Sequence, residues 1–102
     1  MKVDVSVTKY IYCYKNKKAG VFYVPFVLDD DPELTEKKMI RTVTIDSEAA
    51  KNLRHLELYL LGTMTDTDGV IVPKKDFILD IDEVLVAILA AGPEGEVVPN
   101  GK

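Results

Sequence analysis

The chain has 102 residues, 47% apolar and 29% charged, with a formal net charge of -4. That is the composition of one folded domain rather than a disordered chain or a pair of domains, and the acidic balance speaks against a binder of duplex nucleic acid. Cys13 is the only cysteine, which excludes an internal disulfide and points to a reducing, cytoplasmic setting.

The opening MKVDVSV alternates polar and apolar residues, so it reads as a strand and not as a signal peptide. Val3, Val5, Val7, Ile11 and Cys13 share one face, taken as the inward one, and Tyr10, Tyr12 and Tyr14 fall on the other. Asn16 to Gly20 supplies a turn, and Val21 to Leu28 returns as a second strand. Pro25 inside it has no N–H to donate, which predicts an edge strand or a bulge. Asp31-Pro32-Glu33 starts a helix: Asp31 caps the free first-turn N–H groups and Pro32 suits the first helical position. The spacing of Leu34, Met39, Ile40 and Val43 continues it, while the β-branched run Thr42 to Ile45 weakens it beyond Arg41. Ser47, Ala49, Ala50 and Leu53 predict a second short helix, and Leu56 to Leu61 a strand.

The stretch Asp66-Thr67-Asp68-Gly69 has the first letters of a calcium loop. The glycine that such a loop requires at its sixth position is Ile71 here, and its terminal glutamate is Phe77. Asp68-Gly69 between apolar runs is instead a hairpin turn. Asp80 with Glu83 can form a capping box for a helix through Val84, Leu85, Ile88 and Leu89, with Gly92-Pro93 as its stop. That segment is apolar nearly all round, so it is expected to be buried or in an interface; a short buried strand over Glu83 to Leu89 is the alternative. Its longest apolar run, Val84 to Ala91, is far short of the roughly 20 residues of a membrane helix. Residues 1–92 are expected to form the domain and 93–102 a loose tail. The fold class is α+β, a small antiparallel sheet of about four or five strands with two or three short helices.

Chemistry-bearing residues are sparse. His55 is the only histidine, with no cue pairing it to Cys13, and Asp29-Asp30-Asp31 reads as a solvated loop ending in a helix cap. No cofactor, metal or catalytic set is expected, and the chain is read as a non-enzyme. One surface stands out: Tyr10, Tyr12 and Tyr14 with Lys15, Lys17 and Lys18 beyond them, and Phe22 and Tyr23 on the returning strand. Rings beside cations on a sheet suit single-stranded nucleic acid, because rings stack on unpaired bases and lysines contact phosphates. The competing reading has both sheet faces covered, one by helices and one by a partner subunit.

Two segments, Tyr14-Lys15-Asn16-Lys17-Lys18-Ala19 with Phe22, Pro25 and Phe26, and Leu56-Glu57-Leu58-Tyr59-Leu60-Leu61-Gly62 with the turn at Asp66 to Gly69, resemble the small nonstructural proteins of gokushoviruses. Those phages have small single-stranded DNA genomes. Lys15 stands where that family carries an acid, and Met64 where it carries an aromatic residue. The resemblance implies a non-enzymatic accessory role in genome production or packaging, in the host cytoplasm, through contact with single-stranded DNA. Tyr10, Tyr12, Tyr14, Phe22 and Tyr23 are then the expected stacking residues, and Lys15, Lys17 and Lys18 the phosphate contacts. The alternative is a protein-interaction module, a homodimer or an adaptor, with no nucleic-acid binding and no membrane contact.

Overall fold

A computed structural model describes residues 7–91. Val3, Val5, the Gly92-Pro93 stop and the expected tail at 93–102 lie outside the described residues. The order of elements is β1 (Thr8–Asn16), β2 (Val21–Phe22), β3 (Phe26–Leu28), α1 (Pro32–Ile45), α2 (Ser47–Asn52), β4 (Leu56–Thr65), β5 (Ile71–Asp80) and α3 (Ile81–Ala91). The sheet is antiparallel throughout and runs β2-β1-β4-β5, with β3 beside β2 on the outer side of β1. This is the expected α+β fold, five strands and three helices among the described residues.

Short-range chemistry explains most boundaries. The Asp31 carboxylate accepts the Leu34 N–H at 2.9 Å and starts α1. Asp46 ends α1 and starts α2, accepting from the N–H groups of Glu48 and Ala49. Asp80 accepts from the N–H groups of Asp82 and Glu83 at 2.9 and 3.3 Å and so starts α3, which is helix and not strand. Between β4 and β5 the chain turns at Asp66 to Gly69, where Gly69 takes φ +69° and the Asp68 carboxylate accepts the Val70 N–H. Pro25 lies in the break that divides the expected second strand into β2 and β3, both of which pair only with β1.

Two expectations need correction. α1 does not weaken at Arg41 but continues to Ile45, because Val43 is buried in the core and packing there outweighs its propensity. The hydroxyls of Thr42 and Thr44 find partners within the helix by donating back to the Lys38 and Ile40 carbonyls, an arrangement that tends to weaken a helix slightly and that the packing of Val43 outweighs. The second correction concerns β1. Its inward face carries the tyrosines: Tyr12 is 0% exposed and joins Val43, Leu56, Leu58, Leu60, Leu79 and Ile81 in the core, with Tyr10 and Tyr14 packed against it. Leu58 is equally enclosed, a burial worth about 1.5–3 kcal/mol. The register shift between Ile11 and Tyr12 places its extra residue, Leu61, on β4, so β1 keeps its alternation and the face that α1 covers is the tyrosine face.

α3 packs Val84, Leu85 and Ile88 on the core and leaves Val86 and Leu89 exposed, 64% and 79% respectively. It is therefore half covered and not enclosed. No helix among the described residues is long and apolar enough to cross a membrane.

Candidate nucleic-acid interface

The helices cover one face of the sheet. On that face Tyr12 and Tyr14 stand opposite Leu60 and Leu58 of β4. The Tyr12 hydroxyl donates to the Asp30 carbonyl at 2.8 Å and accepts from the Thr35 hydroxyl at 3.0 Å, so it is anchored to the start of α1. Burial pushes the Tyr12 and Tyr14 phenols up from their ordinary values. Tyr14 reaches Met39 Sδ at 3.6 Å, and Phe26 packs tilted against both rings. Tyr10 stacks on Tyr12 with centroids 6.4 Å apart. The three tyrosines thus form the seam between β1 and α1. They do not form the stacking platform expected from alternation, and Tyr12 has no surface to offer a base.

No helix among the described residues covers the other face. Alternation along β4 places Glu57 and Tyr59 there, since Leu56, Leu58 and Leu60 point to the core. Tyr59 stands beside Cys13 of β1 on one side and Phe77 of β5 on the other. Its ring meets Phe22 edge-to-face at 5.4 Å and Phe77 at 5.7 Å. The result is a row of three rings, Phe22–Tyr59–Phe77, running across the strands, with Phe22 39% and Phe77 52% exposed. Edge-to-face contacts of this kind add about 0.5–1.5 kcal/mol beyond burial and hold the rings in place.

Two ammonium groups flank the row. Lys15 Nζ lies 5.6 Å and Lys75 Nζ 5.9 Å from the Phe22 centroid, within cation–π range. Neither forms an ion pair with a carboxylate of the described residues. Glu57 is the acid on this part of the face, and its Oε1 accepts from the Tyr59 hydroxyl at 3.2 Å. Burial, and then the Glu57 charge, push the Tyr59 phenol up, so it stays protonated and donates at neutral pH.

The remaining sequence-predicted residues scatter. Lys17 is tied to Asp80 at 2.8 Å and to Asp82 at 3.2 Å, and these bonds, Asp80's first, raise its pKa. It braces the β1–β2 turn against the start of α3 and is not free for a phosphate. Lys18 is exposed in the same turn. Tyr23 sits in the break after β2, exposed, with its hydroxyl accepting from Asn16 Nδ2 at 2.9 Å. Cys13 is fully buried, its thiol donates to the Tyr23 carbonyl, and burial pushes its pKa up, so it is no nucleophile. His55 caps the cluster around Asp82: its N–H donates to Asp82 Oδ1 at 2.9 Å, its Nδ1 is 3.2 Å from Oδ2, and it holds φ at 70°. Burial pushes the Asp82 carboxyl up, but the His55 N–H and the Lys17 ammonium outweigh it and hold the pKa well below the ordinary 3.8.

Of the eight expected site residues, Phe22 and Lys15 lie on the open aromatic row. Tyr59, Phe77 and Lys75 were not foreseen. A signal for one contact was present: Tyr59 and Phe77 stand nine residues either side of Asp68, so a hairpin centred there pairs them.

No family model, curated protein or solved structure matches the chain.

Proposed function

We propose that the open sheet face binds single-stranded DNA, with Phe22, Tyr59 and Phe77 stacking on bases and Lys15 and Lys75 contacting phosphates. The observation that carries this reading is the Phe22–Tyr59–Phe77 row, exposed at both ends and flanked by two ammonium groups outside any ion pair with the described residues. Base–aromatic stacking contributes about 1–3 kcal/mol per base and tolerates any sequence, which suits a genome-length strand. No catalytic step is assigned to the face. We read this binding as serving the production or packaging of a single-stranded phage genome in the host cytoplasm, a reading supported by the resemblance of Tyr14 to Phe26 and of Leu56 to Gly69 to gokushovirus nonstructural proteins.

The test is anisotropy of a labelled oligothymidine at low and moderate salt. Saturable binding that weakens with salt and falls about fivefold or more in Phe77→Ala supports the reading. Equal binding by the variant removes it.

A second reading, an interaction module, draws on a different surface. Val86 and Leu89 on α3 are exposed beside a groove formed by Arg54, Leu85 and Ile88. Sedimentation decides it: a dimer that Leu89→Asp dissociates, with oligothymidine binding absent in the parent, would put the function on α3.

A further inference from the structure

On the aromatic face a carboxylate lies beside the Tyr59 ring. Glu57 is half-buried, shares the face with Tyr59 two residues on, and has its Oε1 fixed by the Tyr59 hydroxyl at 3.2 Å. Its cross-strand neighbours are Lys15 of β1 and Asp80 of β5, and of the two only Lys15 could neutralise it. Lys15 points elsewhere: its ammonium is over the Phe22 ring, and the two side chains form no ion pair. Lys17 is likewise committed to Asp80 and Asp82. Glu57 therefore keeps its negative charge uncompensated among the described residues, and Oε2 has no donor there.

A bare carboxylate in a phosphate-binding face repels the backbone of the strand. It is useful only to the bases, because an ionised carboxylate accepts hydrogen bonds and donates none. The Watson–Crick edges differ in what they offer it. Guanine has two adjacent donors, N1–H and the N2 amino group, which match the two oxygens of a carboxylate. Adenine and cytosine each set one amino group beside a ring-nitrogen acceptor. Thymine has one N–H between two carbonyls, both of which the carboxylate repels. Unpaired bases stacked on a sheet present these edges to neighbouring side chains, and charge-assisted pairs of this type are the strong ones.

We infer that Glu57 is the base-selecting residue of the face and that it favours guanine-bearing single strands. This rests on the stacking reading above: Tyr59 holds both a ring for stacking and the hydroxyl that aims the carboxylate.

The experiment compares three labelled strands: an oligothymidine, the same strand with one central adenine, and the same strand with one central guanine. The adenine strand controls for the stronger stacking of a purine. The guanine strand is expected to bind roughly five- to hundredfold tighter than the adenine strand, the range of a good bidentate base contact. Glu57→Gln, which replaces one acceptor by a donor and removes the charge, abolishes that difference and leaves oligothymidine binding at least as tight as in the parent, because the repulsion goes with the charge. Tyr59→Phe keeps the ring and frees the carboxylate, and is expected to shrink the preference without abolishing it. Equal binding of the adenine and guanine strands, or a preference that survives Glu57→Gln, overturns this inference and leaves the stacking reading standing. Absence of binding to all three strands overturns both.

Discussion

On one face of the sheet Tyr12 and Tyr14 lie against α1 with Tyr10 stacked beside Tyr12; on the other Phe22, Tyr59 and Phe77 lie open with Lys15 and Lys75 beside Phe22. Both faces belong to one sheet and both carry aromatic residues, three on β1 for the covered face and one each on β2, β4 and β5 for the open one, yet their hydroxyls and neighbours differ in kind. Tyr12 gives its hydroxyl to the backbone and a threonine, groups that belong to the fold. Tyr59 gives its hydroxyl to an ionised side chain on the surface. The difference shows that aromatic content does not mark a binding face. What marks it is rings locked edge-to-face with no layer of the described residues above them and cations outside ion pairs among those residues.

Substitutions on the two faces should separate stability from binding. The largest effect is expected from Tyr12→Ala, which empties a fully enclosed site and should lower unfolding free energy by about 3–5 kcal/mol in urea titration. Phe77→Ala should leave stability within about 1 kcal/mol and weaken oligothymidine binding by about 1–3 kcal/mol. If Phe77→Ala proved as destabilising as Tyr12→Ala, the open face would be a second core and the comparison would fail.

Gly62→Ala sharpens the geometry between the faces. Gly62 lies where β4 shifts register against both neighbours, and a Cβ there would come 2.8 Å from the Val72 carbonyl oxygen, a backbone atom that cannot swing away. A loss of about 1–3 kcal/mol is expected in urea titration, and a neutral substitution would mean that β4 and β5 are further apart. Replacing Lys15 and Lys75 together by alanine should flatten the salt dependence of oligothymidine binding by about 1.4 in log–log slope, or roughly 0.7 per phosphate contact. The same change at Lys17 should leave the slope alone and lower stability.

The smallest effect concerns pH. The Asp82 carboxyl is held below its ordinary 3.8, so it contributes stability that is present above that value and lost as pH falls through its folded value. Urea midpoints should therefore drop on acidification below about pH 4, and Asp82→Asn should flatten that acid limb. A variant with the same acid profile as the parent would show that the His55–Lys17–Asp82 cluster carries no such linkage.

Much of this architecture can be read before the structure, where one residue and its near neighbours decide. Asp31, Asp80 and the Asp68-Gly69 turn act over three or four residues, and each does what its chemistry predicts. The sided character of β1 is different. Alternation separates two faces but cannot say which one the helices will cover, because that depends on where α1 returns. Val43 and Met39 settle it by packing on the tyrosine side. The same long-range packing carries α1 through its β-branched end. On the site, Phe22 and Lys15 were legible as ring and cation, whereas Lys75 reaches Phe22 only because β5 folds back along β4. The φ of 70° at His55 follows from no local residue preference, and its contacts with Asp82 are what accompany it.

The most direct test of the open-face account uses the five tyrosines as reporters, since the chain has no tryptophan. Oligothymidine would be titrated into the parent and into Tyr59→Phe at low salt, following tyrosine fluorescence, with binding checked by anisotropy. The account predicts saturable quenching in the parent and loss of a large part of it in Tyr59→Phe although the strand still binds, because Tyr12 is enclosed and Tyr14 lies against α1; Tyr23, exposed after β2, contributes the remainder. Quenching that persists unchanged in Tyr59→Phe, or a folded parent that shows none at low salt, would contradict it.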